Sequence, residues 1–373
     1  MGVLAYRRLP IEIESPEERG GEPLDCNLTE SSVRDLRFAD LAGDLSDLAD
    51  LSLAYVDHRG NPELRAALAR LSGPGITAAD VLVTPGAAAA LFLVSTALLE
   101  RGAHAIVAKP NYATNLETPL ALGADVTPLE LRFEESWRLE PARVAARLRP
   151  STRFVSLTAP QNPTGATMTR ADLEAVVGRV AASAARLLVD ETYREMVDDR
   201  PLPTAASLST RAISVSSLSK TYGLPGLRIG WLVTRDPELY STLLAAKEQI
   251  FICGSALDEA LATRAFARHD ELLARCRAVR ERHLARVEAW IARTPEVEWV
   301  RPAGGVVAFP RLVEEIDPEI FYAALEARRT AVGPGHWFDL DRRFFRLGFG
   351  WPETAELERG LANLSSAIAE ARR

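Results

Sequence analysis

The chain is short of the residues that would staple it from outside a core. Its 373 residues include three cysteines, Cys26, Cys253 and Cys276. They are widely spaced and odd in number, which argues against a disulfide frame and for reduced thiols in a cytoplasmic protein. The five histidines show no HExxH or comparable ligand spacing, so no metal site is expected. No apolar run approaches the roughly 20 residues of a membrane span. The opening MGVLAYRRLPIEIESPEERG lacks the apolar core of a signal peptide. Tyr6 stands where myristoylation would want Ser or Thr. Positive charge is in deficit, with 44 Lys and Arg against 51 Asp and Glu and a net charge of −7. General nucleic-acid binding needs a basic footprint and is excluded on that ground. Internal repeats and low-complexity tracts are absent as well.

What is present is an ordinary globular composition, 47% hydrophobic and 25% charged, at a length that suggests two domains of about 150 residues or more. The middle of the chain alternates β-rich runs with helical patterns. DVLVT (80–84), HAIVAK (104–109), RFVSLT (153–158), RLLVD (186–190), AISVSS (212–217) and GWLVT (230–234) read as strands. Segments 86–100 and 171–185 read as helices between them. That order predicts an α/β fold with a mostly parallel sheet covered on both faces. After about residue 235 the pattern turns to a long helix over Asp258–Arg293. Strands follow near 297–300, 304–310 and 343–350, with helices over Asp317–Arg328 and from Glu353. This is the pattern of a smaller α+β domain. We expect a large domain over 46–285, with 1–45 and 286–373 forming the small one. The Pro- and acid-rich residues 1–45 form no core alone and should pack on the tail or on a partner subunit.

Chemistry concentrates in SVSSLSKTYGLPGLRIGW (214–231). Lys220 there follows three serines, and Arg228 lies beyond a Gly-Leu-Pro-Gly turn that can fold it back. A surface lysine in a turn is the common case, but this setting suits a phosphorylated aldehyde. The lysine would form the imine, while the arginine, Ser217 and Ser219 hold the phosphate. A pyridoxal phosphate ring would further need a carboxylate at its nitrogen. Asp190 ends a buried strand, where α/β sheets place ligands, although a helix N-cap would also explain it. Tyr193 and Asn162, the latter in the turn NPTG, offer donors for the ring's phenolic oxygen. Gly86, Ala87 and Ala88 stand where a strand becomes a helix, so free backbone N–H groups there can take the phosphate. Tyr112 after another strand offers a ring to stack, or is an ordinary rim tyrosine.

In the order and spacing of these elements the chain resembles the fold type I, class I/II aminotransferases, from YVDHRGNPELRAALA (55–69) to FRLGFG (345–350). The resemblance implies that Lys220 is the Schiff-base lysine and Asp190 the pyridinium partner, with a seven-stranded sheet. It gives the phenolic oxygen to Asn162 and Tyr193 and ring stacking to Tyr112. Gly86, Ala87, Ala88, Ser217 and Arg228 fall at phosphate positions. Family members usually carry Ser or Thr near Ala87, so that loop acts through backbone N–H alone. Tyr55 matches the tyrosine that reaches the neighbouring subunit's phosphate, which implies a homodimer with shared sites. Arg346 matches the arginine that grips the substrate α-carboxylate, as a guanidinium fork does. A small-molecule amino acid and a 2-oxo acid are the implied partners.

For the substrate side chain the residues say less. Gly254 occupies the place of the second arginine of dicarboxylate-specific relatives, beside an apolar Phe251, Ile252 and Cys253. Glu30, in the segment expected over the site, suits a cationic side chain, although Thr29 and Ser31 equally suggest a capping turn. His336 and Trp337 are placed beside the substrate. A neutral, aromatic or basic amino acid is therefore expected. The lysine segment also resembles the capreomycidine-synthase group, which implies cyclisation of a hydroxylated arginine as the rival outcome. A non-catalytic effector sensor is the rival of another class. Sensors of that type carry an N-terminal DNA-binding domain, and here the Tyr55 match comes too early for one.

Overall fold

The computed structural model describes residues 6–18, 23–42, 46–198 and 200–373. Its first strand, Cys26–Leu28 (β1), has only three residues. The next seven are Val81–Thr84 (β2), His104–Lys109 (β3), Asp125–Glu130 (β4), Thr152–Thr158 (β5), Arg186–Asp190 (β6), Ala212–Ser217 (β7) and Gly230–Val233 (β8). They form one sheet in the order β2-β8-β7-β6-β5-β3-β4. Strand β8 runs antiparallel to β2 and β7, and the remaining adjacent pairs are parallel. Helices cover both faces. Helices Gly86–Leu98 and Pro237–Ile250 bring Leu91, Val94, Leu239 and Leu243 against Leu82, Ile213 and Leu232. On the opposite face, Leu173, Val176 and Val180 of helix Arg170–Ala181 pack with Val155, Leu157 and Val189. Each such side chain contributes about 1.5–3 kcal/mol on burial, and two covered faces leave the strands no room for charge.

The rest of the chain builds Val297–Glu298 (β9), Val307–Ala308 (β10), Arg311–Leu312 (β11), Thr330–Pro334 (β12) and Phe345–Gly348 (β13). A second sheet has the order β1-β12-β13-β10, and β9 pairs with β11 apart from it. Strand β1 pairs in parallel with β12, Cys26 against Thr330. The N-terminal segment is thus carried by the C-terminal sheet. Trp290, Phe321, Phe345 and Leu361 join helices His269–Ile291, Pro318–Ala327 and Thr354–Glu370 to this sheet.

Three local features depart from the sequence expectation. Strand β4 carries Pro128 and lies at the sheet edge, where a missing N–H is tolerated. The expected helix over Asp258–Arg293 is two helices, Ala256–Ala267 and His269–Ile291. At the break, the Arg268 N–H turns back to the Ala265 carbonyl, and its guanidinium donates to the Asp40 carbonyl and to Glu271. Helix Pro237–Ile250 was not expected; Asp236 caps it by accepting from the N–H groups of Glu238 and Leu239. No helix among the described residues is long and apolar enough to cross a membrane.

Candidate active site

Strands β3, β5, β6 and β7 all end at one edge of the large sheet, and β8, being reversed, begins there. A cavity of about 290 Å³ opens at this edge. The edge is where open α/β sheets place ligands, because strand ends and helix N-termini leave unpaired backbone groups there.

Asp190 is the last residue of β6 and is buried. Its Oδ1 accepts hydrogen bonds from the Thr192 N–H at 3.1 Å and the Thr192 hydroxyl at 2.6 Å. Burial pushes its carboxyl above the ordinary range, against hydrogen bonds from Thr192 and Asn115 that lower it. A cation placed against it would favour the carboxylate.

Lys220 stands on the excursion between β7 and β8 and faces the same cavity. It keeps some surface onto the cavity, but the protein around its amine excludes water. That desolvation lowers its pKa, opposed by Glu30 and aided by Arg346. The direction is the one an amine nucleophile or base requires.

At one end of the cavity, helix Gly86–Leu98 starts with Pro85 as N-cap and no side-chain cap bond. Its first N–H groups lack intrahelical partners. Gly86 has φ +81°, and a Cβ there would lie 2.6 Å from the Arg228 Nη2. A Cβ on Gly230 would meet the Gly86 carbonyl carbon at 2.3 Å. The two glycines thus let β8 and the Arg228 guanidinium close over the helix start. Ala87, Ala88, Ser217, Ser219 and Arg228 line this end of the cavity.

Arg346 on β13 closes the other end. It is 6% exposed. Its Nη2 donates to the Thr29 carbonyl at 2.7 Å and its Nη1 to Asn162 Oδ1 at 3.2 Å. Its Nε is buried and has no hydrogen-bond partner. A buried orphan donor carries a cost of about 1–3 kcal/mol, which a bound carboxylate would relieve. Tyr112, Asn162 and Tyr193 also border the cavity. The Tyr193 hydroxyl donates to the Ser31 carbonyl at 2.7 Å, and burial pushes its pKa up to about 12. It is therefore a donor at any ordinary pH.

The fit to pyridoxal phosphate is chemical at each end. An uncapped helix start with an arginine would suit the anion, a buried carboxylate the ring nitrogen and a desolvated lysine the aldehyde. The family model for class I and II aminotransferases matches residues 39–364. The chain belongs to that family. It is a fold type I transferase, and its cofactor is pyridoxal phosphate. The transferase is 35% identical over 313 residues to capreomycidine synthase of Streptomyces vinaceus, across 83% of this chain and 79% of that one. It is also 35% identical over 264 residues to arginine–pyruvate transaminase AruH of Pseudomonas aeruginosa, across 68% and 66% of the two chains. Among solved structures it resembles the PLP-dependent cyclase OrfR with a TM-score of 0.87 and 30% identity, over 99% and 100% of the two chains.

Some expected residues are not brought to this cavity. His336 is a correction. Its Nε2 bonds Glu14 at 2.9 Å and its Nδ1 accepts from Arg342 at 3.1 Å, and it faces a separate groove. The 3₁₀ turn Gly335–Phe338 sends successive side chains about 120° apart, so Trp337 borders the cavity and His336 does not. Phe251, Ile252 and Cys253 form no wall of it within the chain. A Cβ on Gly254 would lie 1.9 Å from Oε1 of the buried Glu259, so a side chain there would require the Glu259 carboxylate to move. Tyr55 is 80% exposed and lies outside the cavity. In the other direction, Glu17, Ile11, Thr158 and Thr192 line the site although the sequence reading did not single them out.

Proposed function

We propose that this transferase moves the α-amino group of a basic amino acid to a 2-oxo acid. The observation that carries the reading is the convergence of Lys220, Asp190 and Arg346, whose Nε lacks a hydrogen-bond partner, on one cavity. The relative named arginine–pyruvate transaminase supports a basic donor. Glu30, which borders the cavity beside Lys220, supports it independently.

Pyridoxal phosphate supplies an aldehyde for the amino group and a ring that takes up the electrons left by the α-proton. The chain's own residues do the rest. Lys220 holds the cofactor between turnovers, then accepts the α-proton and returns it to the cofactor carbon. Asp190 keeps a proton on the ring nitrogen. Asn162 and Tyr193 would supply the donors for the phenolic oxygen. Tyr112 stacks on the ring. Gly86, Ala87, Ala88, Ser217 and Arg228 hold the phosphate. Arg346 binds the substrate carboxylate and turns the Cα–H towards Lys220. Tyr55 is exposed beside Leu53, itself 82% exposed. We assign this surface to a homodimer in which Tyr55 completes the partner's phosphate site.

Arg346→Lys keeps the charge and loses the fork. The KM for the amino acid should rise about 10- to 100-fold with a smaller change in kcat, as read in steady-state assays. An unchanged KM would remove Arg346 from the carboxylate site.

The likeness to a cyclase favours a second reading, in which the same residues cyclise a hydroxylated arginine. Mass analysis after parallel incubations, one with arginine and pyruvate and one with a hydroxylated arginine, separates the two. A keto acid with new alanine means amino transfer. Retained amine with a new ring, from a hydroxylated arginine, means cyclisation.

A further inference from the structure

The roles above use every cation lining the cavity, while of its carboxylates Glu17 has no task and Glu30 only a general preference for a basic donor. Resting on the proposed amino transfer, we propose that Glu17 and Glu30 form a two-carboxylate clamp that selects an amino acid by a guanidinium at the end of its side chain.

Both residues line the cavity that also holds Lys220 and Arg346. They arrive from separate stretches, Glu17 at the mouth and the half-buried Glu30 deeper in. Their carboxyl groups lie close enough to influence each other's titration, with Lys220 nearby. Neither forms an ion pair among the described residues. Two carboxylates this close repel unless a proton or a cation lies between them. In the ligand-free chain the proton serves. Burial raises the Glu30 carboxyl, against the pull of Lys220. On Glu17, hydrogen bonds from its own backbone, Ser15 and Glu30 outweigh desolvation and keep its carboxyl low. The pair shares that proton.

A guanidinium replaces that proton well. It is planar, always charged, and presents five N–H donors, enough to meet two carboxylates at once. The second sign of a ligand is independent of the acids. Arg346, more than nine-tenths buried, lines the same cavity and has an Nε without a hydrogen-bond partner. One molecule with a carboxylate at one end and a guanidinium at the other satisfies both. The apolar Ile11 and Trp337 line the cavity as well and suit a methylene stem. As the cation enters, the shared proton leaves to solvent, so charge balances.

The test compares L-arginine with L-citrulline, which replaces the guanidinium by a neutral urea of the same shape. It uses the cofactor-loaded protein and its Glu17→Gln, Glu30→Gln and double variants. Two quantities are read: kcat/KM, and the dissociation constant from the cofactor's absorbance change. We expect the wild type to prefer arginine by at least about 100-fold in both. Each single variant should lose about 10-fold of that ratio and the double variant about 100-fold. Because the ratio is internal to each protein, a general loss of folding leaves it unchanged. A wild type without preference, or variants that keep the ratio, would overturn the clamp, and amino transfer would stand if keto acid is still formed. A charge-selective protein that yields no keto acid would keep the clamp and overturn amino transfer.

Discussion

Replacing Lys220 with alanine abolishes turnover, by at least about 10⁴-fold, together with the visible absorbance that the lysine-bound cofactor gives. Two functions vanish with one amine: the covalent hold on the cofactor and the base for the α-proton. The chain makes the assignment unusually easy to check, because it has three lysines. Lys109 pairs with Asp339 at 3.1 Å. Lys247 is wholly buried and donates to the His58 carbonyl. Lys220 is the lysine that faces the cavity. Borohydride reduction of the loaded protein followed by peptide mapping should place the adduct on Lys220. An adduct on Lys109 or Lys247, or a Lys220→Ala protein that stays coloured and active, would dismantle the mechanism.

Asp190→Ala should slow the first half-reaction about 10²- to 10³-fold, roughly 3–4 kcal/mol, since an oriented charge in a dry site is lost. Asp190→Asn sharpens the point. The amide oxygen can still accept from the Thr192 N–H and hydroxyl, so packing is kept while charge is removed. We expect the asparagine variant to be nearly as slow, with a larger isotope effect for α-deuterated substrate. Wild-type rates in both would mean that no carboxylate is needed at the ring.

The large sheet was legible because its strands are buried on both faces and therefore written as short apolar runs. The second sheet was less so. Strand β1 exists only because Thr330 and its neighbours arrive from the far end of the chain, and three residues carry no periodicity. Strand β4 is partly polar and contains Pro128, both permitted at an edge. The site divides the same way. Asp190 ends β6, Asn162 and Lys220 follow soon after β5 and β7, and Arg228 lies just before β8, so strand ends point to them. Glu17 and Glu30 lie on irregular segments whose path is set by bonds such as Arg346 to the Thr29 carbonyl. Nothing local in PIEIESPEE announces that Glu17 borders the mouth of the cavity. His336 and Trp337 are adjacent in sequence, and only the turn geometry tells which one enters.

The reversed strand β8 has a mechanical consequence. Ser217, the last residue of β7, pairs with Gly230, the first of β8, and the Leu218 N–H donates to the Ile229 carbonyl at 3.0 Å. Lys220 and Arg228 thus ride on one closed loop whose two ends are riveted together. When the sheet breathes, the anchoring amine and the phosphate-side guanidinium travel in step, and the spacing between them is insulated from drift elsewhere in the molecule.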